Sequence, residues 1–152
     1  MRVGRELMMA TDPIDISSLA ASADGPWTGM PAGTTIGHVH LHVGDIETAS
    51  AFYSEAMGFD RIVWSYPGAL FLSAGGYHHH LGVNTWAGNA PSPSPDEARL
   101  LEWIVQLPDN ESRSALAESL ARAGQTPQVD GTALVIRDPW GTQVRFEIAQ
   151  SR

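Results

Sequence analysis

The 152-residue sequence contains neither cysteine nor lysine, and its nine basic residues are all Arg. Without a thiol there is no disulfide framework, no Cys nucleophile and no Cys-ligated zinc or iron–sulfur centre. Without a lysine amine there is no Schiff-base chemistry and no lysine for a phosphate-binding loop. Basic charge is scarce too: 9 Lys+Arg stand against 17 Asp+Glu, a formal net charge of −8. The basic stripe that follows a nucleic-acid backbone is therefore missing. No window approaches the roughly 20 apolar residues of a membrane span, and the run Leu7–Ala10 is far shorter than a signal-peptide core. These absences predict a cytoplasmic protein without nucleic-acid or membrane partners. What remains is histidine, in two clusters only: His38, His40 and His42, then His78, His79 and His80.

Residues 1–35 are rich in Asp, Ser, Ala, Gly and Pro without a sustained period, which reads as an arm or linker. Its candidates for packing on a neighbouring surface are Leu7-Met8-Met9 and Trp27. From Ile36 the pattern changes. Residues 36–43 alternate strictly, with Val39, Leu41 and Val43 on one face and three His on the other, so a strand is predicted. Asp45 is placed to cap a helix reaching about Met57, with the apolar stripe Ala49, Phe52, Tyr53 and Ala56 and Gly58 beyond. Strands are predicted at Arg61–Tyr66, Ala69–Ser73 and Tyr77–Trp86.

A Pro-rich loop at Ala87–Glu97 precedes the same order again. Strand Leu100–Leu107 is followed by a helix from Asp109 to about Ala123, then strands Gln128–Val129, Ala133–Arg137 and Gln143–Ile148. The turn Asp138-Pro-Trp-Gly141 introduces the last of them. Asp109 lies 64 residues after Asp45, and at that offset Phe52 and Ala56 correspond to Leu116 and Leu120. The predicted class is α+β: two tandem β-α-β-β-β units, 36–86 and 98–148, within one domain over 36–148.

In the first unit the alternation predicts that His38, His40 and His42 share the concave face of the sheet. If Leu81 and Val83 face the helices, His78, His80 and Asn84 join them and His79 turns away. His38, His80 or His78, and Glu102 would then form a 2-His-1-carboxylate set suited to Fe(II), Mn(II), Ni(II) or Zn(II). The competing reading is that the histidines satisfy one another, carboxylates and water in a polar cleft. Trp64, Trp86, Trp103 and Trp140 are candidates for an aromatic wall or for core, with Trp103 expected toward the helices. Tyr66 and Tyr77 are candidate proton donors.

The tandem units, a His seven residues before the capping Asp and the Asp-Pro-x-Gly turn together resemble the vicinal oxygen chelate superfamily of glyoxalases, bleomycin-resistance proteins and extradiol dioxygenases. The stretches Met30–Leu41 and Ser73–Trp86, with Tyr77-His-His-His-Leu-Gly-Val-Asn-Thr-Trp86, resemble the C-terminal half of two-domain catechol 2,3-dioxygenases. The resemblance implies a half-open mixed sheet barrel around one divalent metal, Fe(II) first, with a His from each unit's first strand and a Glu on the final strand. Position by position, His38 occupies the first ligand site, but Glu102 stands where the second His belongs and Arg145 where the Glu belongs. Glu102 can act as an oxygen ligand, or it can pair with Arg145 where the iron would sit. Glu147, two residues beyond Arg145, faces the same side of a regular strand.

Three readings follow. One is a metal-dependent dioxygenase, or a lyase or isomerase, acting on a small oxygen-rich or aromatic substrate. His40 and Tyr77 would handle protons, and Asn84, Trp86, Arg145 and Glu147 would meet the substrate. The second is a non-catalytic small-molecule binder with a degenerate metal site. The third is a stand-alone descendant of the C-terminal half of a larger enzyme, working as a homodimer or beside a partner chain.

Overall fold

The structure, a computed structural model, describes residues 2–4, 6–7, 12–88 and 93–149. Two helices pack against two four-stranded mixed sheets, and each sheet has its four strands in the same order. The first contains β3 (Val39–His42), β4 (Asp60–Val63), β5 (Ala69–Ser73) and β6 (Leu81–Asn84), arranged β3-β6-β5-β4. In the second, β7 (Glu102–Leu107), β8 (Gln128–Asp130), β9 (Ala133–Arg137) and β10 (Gln143–Ile148) are arranged β7-β10-β9-β8. In both, the first strand runs parallel to the last and the other pairs are antiparallel. A parallel pair needs a crossover, and the unit's helix supplies it. Among the described residues the two sheets do not join into a closed barrel.

Both helices start where the Asp residues predict. Asp45 accepts from the Thr48 backbone N–H at 2.7 Å, and Asp109 from that of Ser112 at 2.7 Å. Helix α2 (Ile46–Ala49) continues as a wider π-helical stretch over Ser50–Ala56. Its counterpart α3 (Asn110–Arg122) is a regular α-helix. One core serves both units: Leu41, Val43, Phe52, Tyr53, Ala56, Leu72, Leu81 and Val83 of the first pack with Leu116, Leu120, Leu134, Ile136, Val144 and Phe146 of the second. Ser119 Oγ donates to the Glu55 carbonyl at 3.5 Å, a contact between positions 64 residues apart. Equivalent positions of the repeat thus meet where the helices cross. A second link is buried, with Tyr53 Oη donating to Asp138 Oδ2 at 2.5 Å.

Several expected elements are shorter. The strand expected over Tyr77–Trp86 begins only at Leu81, because Gly75 and Gly76 adopt φ of +63° and +78° and turn the chain. Those expected at Arg61–Tyr66 and Leu100–Leu107 are Asp60–Val63 and Glu102–Leu107. The N-terminal stretch, expected to be irregular, holds a short strand pair, β1 (Arg2–Val3) and β2 (Glu6–Leu7), and a six-residue helix, α1 (Ile16–Ala21), capped by Asp15. Leu7 packs beside Ile62, Val63, Ala69 and Phe71, whereas Trp27 is exposed. Met8 and Met9 lie outside the described residues. No helix among the described residues is long and apolar enough to cross a membrane.

Candidate functional site

The alternation of β3 divides its side chains as expected. Leu41 and Val43 are buried in the core, and His38, His40 and His42 are exposed on the opposite side. His40 is registered against Gly82 of the neighbouring strand. A Cβ at position 82 would stand 2.7 Å from His40 Cε1 and 2.8 Å from its Nδ1, so this ring lies across the strand only because residue 82 is glycine.

His79 does not turn away. Because residues 77–80 are irregular and not part of a strand, strand alternation does not govern them, and His79 is buried between the other rings, 4 % exposed. Its Nε2 lies 2.9 Å from His38 Nδ1 and 3.3 Å from His40 Nε2. Its Nδ1 is buried without a partner. A neutral imidazole has one N–H and one lone pair, so Nε2 contacts alone leave the other nitrogen unsatisfied in either tautomer. Burial, and then repulsion from His38, His78, His40 and His80, hold the His79 pKa down to about 4. His40 is shifted the same way by burial and by His38.

His38, His78 and His79 present ligand nitrogens within 4.8 Å of one another. A tetrahedral ion held through 2.0–2.1 Å bonds to nitrogen separates its donors by about 3.3 Å. These three imidazoles could hold a divalent ion if their donors drew in to that spacing. His80 stands apart, its Nδ1 accepting from the Ala74 N–H at 3.2 Å and lying 3.1 Å from Ser73 Oγ. Tyr77 lies against both His78 and His80, with ring centroids 4.2 and 4.7 Å apart.

The second unit contributes something different. Arg145 Nε donates to Glu102 Oε2 at 3.3 Å, Gln143 Nε2 donates to the same oxygen, and Arg145 Nη2 donates to Asp130 Oδ2 at 2.6 Å. Glu147 Oε1 is 3.9 Å from Arg145 Nε. Glu102 is thus neutralised by a cation and is not part of the histidine cluster. The positions that would hold a metal by family resemblance, His38 with Glu102 and Arg145, do not fit one: a guanidinium has no lone pair to give and repels a cation.

The remaining candidates are engaged locally. His42 Nδ1–H donates to Asn84 Oδ1 at 2.8 Å, and that oxygen also accepts from the Trp86 N–H. Trp86 Nε1 donates to the Pro67 carbonyl. The four candidate tryptophans, Trp64, Trp86, Trp103 and Trp140, form no common wall. Trp103 packs on Tyr53 and Phe59 in the core, Trp86 beside Tyr66, and Trp64 is half exposed. Trp140 alone among them lines a cleft of about 400 Å³ between the units, together with His40, His42, Arg99, Arg137 and Thr142. It sits so close to Gly44 that a Cβ there would be 2.8 Å from its Nε1. Arg99, Arg137 and the role of His79 are not marked by the sequence pattern; the Gly75-Gly76 pair upstream is the available signal for the last.

A family model described as the Glyoxalase/Bleomycin resistance protein/Dioxygenase superfamily matches residues 35–146. The chain belongs to this superfamily. The "Catechol-2,3-dioxygenase" of Bacillus subtilis (strain 168) is 43% identical over 146 residues, covering 93% of this chain and 51% of that protein. The chain therefore spans about half the length of that relative. Among solved structures it resembles lactoylglutathione lyase from Agrobacterium tumefaciens, with TM-score 0.54, 14% identity and coverage of 76% of this chain and 94% of that one. It also resembles a mutant of the fosfomycin resistance protein FosX from Listeria monocytogenes complexed with Mn(II) and a dihydroxypropylphosphonic acid, with TM-score 0.56, 14% identity and coverage of 78% and 94%. At these identities the likeness is one of fold.

Proposed function

We propose that this superfamily member is a divalent-metal-dependent enzyme acting on a small oxygen-rich or aromatic substrate, with its metal held by His38, His78 and His79 of the first unit. The observation that carries the reading is the convergence of these three imidazoles around a buried His79 whose Nδ1 has no partner. Neutral imidazoles suit zinc, iron and nickel, and a low His79 pKa keeps that ring unprotonated through the neutral range. When bound, the ion supplies Lewis acidity or oxygen activation toward vicinal substrate oxygens. The chain's own residues do the rest. His40, 3.3 Å from His79, is placed to hold or move a proton beside the cluster. Tyr77 buttresses His78 and His80, and the inter-unit cleft that includes His40 receives the substrate. The 43% identity to a protein named catechol-2,3-dioxygenase makes a catechol the first substrate to try, with Fe(II) the first metal.

A specific observation favours a second reading. The Arg145–Glu102 pair stands where the ring-cleaving pattern expects ligands, as in a non-catalytic binder that has lost its metal. Anaerobic reconstitution with Fe(II), Mn(II), Ni(II) and Zn(II), followed by a catechol turnover assay and melting with and without EDTA, separates the two. The enzyme reading expects turnover in at least one metal form, lost in His38→Ala, and a chelator-sensitive melting temperature. A chain that melts identically with EDTA and turns over nothing is the binder.

A further inference from the structure

We propose that the cleft between the units is an anion subsite, in which Arg99 and Arg137 receive the oxyanion of a small, partly apolar organic acid, a carboxylate or a phosphonate. The inference deepens the functional reading above by naming the charge its substrate carries. Its basis is where this acidic chain puts its few cations. Seventeen Asp and Glu are available for nine Arg, and Arg145 alone is within 4 Å of three of them, Glu102, Asp130 and Glu147. Among the described residues Arg99 and Arg137, like Arg61 and Arg113, make no ion pair, and what sets these two apart is that they share a cleft lined by no described carboxylate. Each is oriented by a backbone carbonyl instead: Arg99 Nη1 donates to Pro93 at 3.2 Å and Arg137 Nη1 to Gly141 at 2.9 Å. A carbonyl takes one of a guanidinium's five N–H donors and leaves its charge unneutralised, so both side chains keep donors for a carboxylate or phosphonate.

The other walls describe the rest of the ligand. Leu100, Leu101 and Val43 are apolar, Trp140 offers an aromatic surface, and Thr142 adds a polar lining residue. A volume of about 400 Å³ is at the small end of ligand sites and suits a body of one or two rings. His40 belongs both to this cleft and, through its 3.3 Å contact with His79, to the edge of the histidine cluster. An acid anchored by the arginines would thereby project its other end toward the proposed reaction centre.

The test is isothermal titration of the EDTA-treated chain, at low ionic strength, with benzoate, phenylphosphonate and the neutral isostere benzamide. At least one of the two anions should bind in the millimolar range or tighter, and benzamide at least tenfold more weakly. Arg99→Gln and Arg137→Gln should each weaken anion binding about tenfold. The double variant should abolish it, and Arg113→Gln, on α3 and outside the cleft, should leave it unchanged. Preference for benzoate or for phenylphosphonate assigns the head group. Equal binding of benzamide, undiminished anion binding by the double variant, or no binding of any probe overturns the subsite. Because the titration is metal-free, it is independent of the metal reading. Metal uptake without anion binding removes the subsite alone, and Arg-dependent anion binding without metal uptake leaves the subsite standing while the metal reading falls.

Discussion

The two units have the same strand order, the same Asp cap and one shared core, yet they carry opposite chemistry on their sheets. The first presents a cluster of imidazoles around a buried ring, and the second an ion pair in which Arg145 neutralises Glu102. The framework is common because apolar burial and helix capping fix it through residues that face the helices. The cleft-facing residues are not constrained that way and differ between the units. A repeat can therefore keep its architecture while its two halves carry different side chains on their sheets.

The shared core is the first place to break the comparison. Phe52→Ala and Leu116→Ala occupy equivalent positions, buried to 4 % and 7 % exposure, and should cost about 3–5 and about 2–5 kcal/mol respectively. Both should lower a single cooperative denaturation transition; two separate transitions would mean that the units fold independently. The inter-unit bond comes next. Tyr53→Phe leaves the buried Asp138 Oδ2 without that donor and should cost about 1–3 kcal/mol by denaturant melts.

A pH titration sharpens the difference between the units. The folded chain holds His79 near pKa 4, whereas the unfolded chain takes up that proton near 6.5, so between these values the unfolded state binds more protons. Stability of the metal-free protein should therefore fall as pH drops from about 6.5 toward about 4, and His79→Asn should flatten that slope. Arg145→Gln should leave it in place. The smallest effect belongs to the second unit's exposed edge. Asp130→Asn removes an Arg145 partner whose side chain is 66% exposed, and its melting midpoint should not measurably change.

Much of the framework was legible from local pattern. The strict alternation of residues 36–43 put Leu41 and Val43 in the core and three His outside it, and the 64-residue offset of Asp45 and Asp109 revealed the repeat. The Glu102–Arg145 pair was legible too, as one of two alternatives, because both residues fall on the sheet positions that the family resemblance marks. His79 was not. Its placement depends on Gly75 and Gly76 leaving the extended region, so the alternation assumed for Tyr77–Trp86 did not apply. Gly82 was equally silent, since only the neighbouring strand reveals that a bare Cα makes room for the His40 ring. The Arg99 and Arg137 cleft joins segments separated by a proline-rich loop and a whole helix, and no local pattern signals such a meeting.

Metal binding by this chain is expected to reside in the first unit's histidines. Elemental analysis after metal loading and desalting tests it on three proteins: the unaltered chain, His79→Ala and Glu102→Gln. One ion per chain in the unaltered protein and in Glu102→Gln, with none retained by His79→Ala, is the predicted result. Metal lost from Glu102→Gln but kept by His79→Ala, or absent from all three, would contradict it.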